Sequence, residues 1–109
     1  MNKLKFYQII SDIIDKIAQE KNLTRTDLGV ILNFSESYIK QIHSPSSKKH
    51  YSIFSLYILA KEWKIPVDHL FPYKENMKKL KQFSTMSDKA IEDYIKIAEK
   101  ELMEERQDE

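Results

Sequence analysis

The side chains able to do chemistry in this chain are few, and their spacing excludes most reactions. His43, His50 and His69 fall into no metal-ligand pattern such as two histidines four apart on a helix, and no nucleophile, base and orienting group can be picked out together. All three histidines read as surface or loop residues. The chain has no cysteine, so thiolate metal sites, cysteine nucleophiles and disulfides are absent. Its single glycine, Gly29, rules out phosphate-cradling loops that need two or more. Neither an enzyme nor a metal nor any cofactor is expected. What remains is charge. Residues 1–86 carry 14 Lys and Arg against 8 Asp and Glu, a balance of +6, while residues 87–109 carry 4 against 9, a balance of −5. The overall +1 therefore hides a basic body with an acidic appendage. A basic body is the ordinary electrostatic requirement for binding a polyanion. Positive charge concentrates in Ser44-Pro45-Ser46-Ser47-Lys48-Lys49-His50, which reads as an exposed polar loop.

The elements that must position these residues are helical. One Gly and three Pro leave little material for tight hairpins, while Lys, Ile, Glu and Leu are plentiful, so an all-α fold is expected. The 109 residues, 41% hydrophobic and 32% charged, fit one globular domain with a short appendage. The longest apolar stretch, Ile53 to Ala60, is interrupted by Ser55 and falls far short of the ~20 residues that span a bilayer. No membrane partner is expected, and the absence of an apolar export signal and of cysteine points to the cytoplasm. Leu4, Tyr7, Ile10, Ile14 and Ile17 predict an amphipathic first helix over roughly 3–21. Thr24 with Asp27 predicts a capped second helix over 25–32, and Asn33 a left-handed reversal. Ser35 caps a third helix over 36–44 with Ile39 and Ile42 inward. Ile53, Leu56, Leu59, Ala60 and Trp63 predict a fourth, and Val67 to Phe71 a short fifth. Residues 73–86 read as a basic linker. From Ser87 a sixth helix places Ile91, Ile95, Ala98 and Leu102 on a heptad-like seam, to be buried against the body or a second chain. The division expected is 1–72, 73–86 and 87–109.

The stretch from Thr24 to Ile42, with Leu28, Leu32, Ile39 and Ile42 at buried positions, the small Gly29 between helices and the Ser35 cap, resembles the helix-turn-helix of the Cro and phage-repressor (xenobiotic-response-element) family. The resemblance covers about residues 8–72 and implies a five-helix repressor-like body with an additional C-terminal helix. Asn33 replaces the usual turn glycine, Pro45 stands where a glycine often ends the recognition helix, and Ala18 and His43 occupy positions where many members pair an Arg with a Glu.

The resemblance implies a sequence-specific transcriptional regulator, a repressor, that binds double-stranded DNA. By motif position the base-reading residues are Glu36, Ser37, Tyr38 and Gln41 on the third helix, in the groove whose edges distinguish all four base pairs. Phosphate contacts fall to Arg25, Lys40, Ser44, Ser46, Lys48, Lys49 and His50. The family binds as a two-fold homodimer on inverted half-sites. Assembly is assigned to the sixth helix through Ile91, Tyr94, Ile95, Ala98 and Leu102, which could also hold a regulatory protein. Truncation before Ser87 is then expected to leave a folded monomer. With about four cations per subunit, log affinity should fall with log salt at a slope near −7. The alternative is an adaptor or antitoxin-like module that keeps this fold to bind protein.

Overall fold

A computed structural model describes residues 2–107, and their regular structure is entirely helical. The elements are α1 (Lys5–Glu20), α2 (Arg25–Leu32), α3 (Glu36–His43), α4 (Ile53–Trp63), a 3-10 turn at Val67–Leu70, α5 (Lys74–Met77), a second 3-10 turn at Lys81–Phe83, and α6 (Asp88–Gln107). α1 is central. It packs against α3, α5, α6 and the first 3-10 turn, so Ile9 and Ile13 are buried along with Ile10 and Ile14, a wider arc than one amphipathic stripe.

Local chemistry sets the chain reversals. Asn22 ends α1 in the left-handed conformation with φ 59°, and Thr24 then caps α2 reciprocally with Asp27. The Asp27 backbone N–H donates to Thr24 Oγ1 at 3.2 Å, and the Thr24 backbone N–H donates to Asp27 Oδ2 at 2.7 Å. Those bonds from Thr24 hold the Asp27 carboxyl below its ordinary value. Asn33 turns the chain between α2 and α3 with φ 60° and ψ 42°, and the Phe34 N–H donates to the Gly29 carbonyl at 2.8 Å. A Cβ at Gly29 would stand 2.4 Å from the Phe34 carbonyl oxygen, so this approach requires glycine. Ser35 Oγ accepts from the Tyr38 N–H at 3.1 Å and starts α3. Ile39 and Ile42 are fully buried beneath it, and Ser11 of α1 donates to the Ile42 carbonyl at 3.3 Å.

Three expectations change. Ile53 was expected on the inner face of α4, but that helix buries Leu56, Leu59, Ala60 and Trp63 and leaves Ile53 72% exposed beside Phe54 at 68% and Tyr57 at 55%. Residues 73–86 are not a linker, since Met77, Leu80 and Phe83 join the same buried core as α1. Their spacing of three suits 3-10 and single-turn geometry, which a search for longer helical periods passes over. Finally, α6 folds onto its own chain. Ile91 and Ala98 are fully buried, Tyr94 meets Phe83 edge to face at 5.1 Å, and Ile95 packs on the core. The radius of gyration, 13.9 Å, is close to the ~13 Å of a compact chain of this length.

Candidate nucleic-acid interface

The burial of Ile39 and Ile42 turns Glu36, Ser37, Lys40 and Gln41 outward, and all four are exposed. Tyr38 is half-buried because its ring packs against Phe34 at 4.8 Å. Glu36 is held on both sides. It accepts from Thr26 Oγ1 at 3.1 Å and lies 3.5 Å from Lys40 Nζ one turn along. Gln41 Oε1 accepts from Lys49 Nζ at 2.6 Å, and the same ammonium stands 5.2 Å from the centre of the Tyr38 ring. A lysine of the basic loop is thus folded onto the outer face of α3. It occupies the carboxamide oxygen and leaves the Gln41 NH2 as a free donor.

The loop that brings Lys49 there is anchored. Lys3, which sequence reasoning passed over, is buried. Its backbone N–H donates to the Pro45 carbonyl at 2.9 Å, and its ammonium donates to the carbonyls of Ser47 and Lys49. Burial lowers the Lys3 pKa. A lysine just before the first helix carries no sequence sign of such a role. His50 stacks on Tyr7 with ring centroids 3.6 Å apart. Ser44 and Ser46 hydrogen-bond each other through their hydroxyls at 3.0 Å. Lys48 is exposed and has no ion pair among the described residues. Arg25 is not free: its guanidinium pairs with Asp15 at 3.2 Å.

Behind α3 runs a buried polar chain. His43 is buried, not on the surface or in a loop as its sequence context suggested. Its Nε2 lies 2.5 Å from the Tyr51 hydroxyl, and its Nδ1 lies 3.5 Å from Asp15 Oδ1, an ion-pair distance with little hydrogen-bond character. Burial raises the Asp15 carboxyl, but His43 and then Arg25 outweigh it and hold the group below its ordinary value of 3.8. Burial pushes the Tyr51 hydroxyl up, and Asp15 adds to this. Asp15 and Tyr51 carried no motif signal, since the contact joins α1 to residues beyond α3.

The residues expected to assemble two chains divide differently. Ile91 and Ala98 are covered by the chain itself, and Leu102 is half-buried. The acidic charge of α6 is also met internally. Glu101 accepts from the Lys5 backbone N–H at 3.2 Å and from its ammonium at 2.8 Å, so α6 caps the start of α1. Asp88 pairs with Lys78 and with Lys74. Part of the +6 and −5 asymmetry is therefore neutralised within one molecule. No family model, no curated protein and no solved structure matches the chain.

Proposed function

We propose that the chain is a sequence-specific double-stranded DNA-binding regulator of helix-turn-helix type, a repressor, that inserts α3 into the major groove. One observation carries the reading: the outer face of α3 presents Ser37 and Gln41 to solvent, and Lys49 from the anchored loop lies on that same face. Gln41 makes the bidentate contact to adenine, for which it needs both its oxygen and its NH2. Lys49 leaves the Gln41 oxygen on binding and moves to a phosphate. Ser37 bonds a neighbouring base edge, Tyr38 borders the groove, and Glu36 orders Thr26 and Lys40 in place of reading a base. Lys48 and Lys49 supply the mobile cations. Because Arg25 is paired with Asp15 and Lys40 with Glu36, the dimer counts about four phosphate contacts, and the log–log salt slope is near −4.

The dimer forms through the exposed stripe of α4. Ile53, Phe54 and Tyr57 lie within about 100° of arc on that helix. Given ~150–250 Å² per aromatic side chain, they expose roughly 350 Å² of apolar surface per chain. Two copies pool roughly 700 Å², the apolar centre of an interface of standard size, ~1,600 Å². The partner is a second copy, because one reading helix covers too few base pairs for selectivity.

Selection of a preferred site from random duplexes, followed by a shift assay against excess competitor, tests the reading. An inverted repeat whose preference relaxes in Gln41→Ala is the expected result. Retention of no preferred site overturns it and favours a protein-binding module, for which the same α4 stripe supplies the surface.

A further inference from the structure

A recess of about 360 Å³ lies where α1, the turn after α4 and α5 meet, and none of its lining residues belongs to α2, α3 or the 44–50 loop. Its apolar lining comes from Ile13 and Ile17 of α1 with Ile65 and Leu80. Its cationic lining comes from Lys16, Lys21 and Lys79, against a single carboxylate, Glu20. These lysines differ from those paired with α6. Lys5, Lys74 and Lys78 each face a carboxylate of α6, whereas Lys16, Lys21 and Lys79 have no ion pair among the described residues. Asn76 stiffens one side. Its NH2 donates to the carbonyls of Asp68 and Phe71, both at 2.8 Å, which leaves its Oδ1 as the one unassigned atom of the amide.

We infer that this recess binds a small amphipathic carboxylate, with an alkyl or aryl body against the isoleucines and Leu80 and the carboxylate among the three lysines. An apolar lining with a few charged groups, at the small end of the ~300–1,000 Å³ range of ligand sites, fits such a molecule. The net positive charge of the lining disfavours a cation and, less strongly, a neutral ligand. Solvated lysines add little by themselves, so most of the affinity comes from the apolar body and the charge selects the headgroup. A bound molecule joins α1 to residues 65–80, away from the face assigned to DNA.

Octanoate is the probe, titrated into the full chain and followed by the isoleucine methyl signals in NMR. Saturable shifts at Ile13, Ile17 and Ile65 are expected, with a Kd on the order of 0.1–1 mM. 1-Octanol should bind about tenfold more weakly, and octylammonium more weakly still. The double variant Lys21→Gln/Lys79→Gln, altered only at exposed positions, should weaken octanoate about tenfold and leave octanol unchanged. Equal binding of octanol and octanoate, shifts confined to Ile53 on α4, or no saturable shift each overturns the proposal. DNA plays no part in this measurement, so its outcome is independent of the function proposed above.

Discussion

Asp15 is the residue on which the region behind α3 turns, because it meets Arg25 at the start of α2 and His43 at the end of α3. Asp15→Asn should destabilise the chain by about 1–2 kcal/mol at neutral pH, because the Arg25 guanidinium loses its counter-charge and the buried His43 loses its carboxylate neighbour. The sign of the pH dependence follows from the depressed folded pKa. The contribution is fully present above the unfolded value near 3.8 and is lost as pH falls through the lower folded value. Asp12 acts in the opposite sense, since burial raises its pKa. The readout is therefore the difference between wild type and variant in urea melts, which should shrink below pH 4; a pH-independent difference would discard the ion-pair account. Gly29 offers a second test. Alanine improves helix propensity by about 1 kcal/mol, but its Cβ would meet backbone at 2.4 Å. Gly29→Ala should lose about 3 kcal/mol, and a raised melting temperature would show that the α2–α3 approach is looser than described.

Among the elements, α4 has two faces in different surroundings. Leu56, Leu59, Ala60 and Trp63 hold it to the body, while Ile53, Phe54 and Tyr57 face solvent. Phe54→Asp should leave the helical signal unchanged, because the side chain is already 68% exposed in the single chain, and should convert a dimer to a monomer in light scattering. A dimer that survives this change would place assembly elsewhere. The end of α4 supplies a further prediction. Lys64 adopts φ 57° and ψ 44°, a left-handed conformation that costs a residue with a Cβ about 1 kcal/mol. Lys64→Gly should therefore raise stability by about 0.5–1 kcal/mol in the same melts. No stabilisation would mean that the ammonium stem contributes packing of its own.

For the whole molecule, α6 decides where the domain ends. Deleting residues 87–109 removes Ile91 and Ala98 from the core, uncovers Phe83, and leaves the start of α1 without Glu101. Each buried apolar side chain is worth about 1.5–3 kcal/mol, against a total near 5–15 kcal/mol for a domain. The truncated chain should lack a cooperative thermal transition by circular dichroism; a sharp melt near that of the full chain would restore α6 as an appendage. Local residue chemistry alone dictates the helices up to Trp63, the Thr24–Asp27 box, the Asn33 reversal and the outward side of α3. Each depends on neighbours within a few residues, where spacing and capping chemistry act directly. It did not reveal the core role of residues 73–86, the exposure of Ile53, the Lys3 clamp or the burial of the α6 seam. An apolar stripe states only that something must cover it. Whether the cover comes from the same chain is decided by contacts between residues such as Lys5 and Glu101, 96 positions apart, which only the packed tertiary structure brings together.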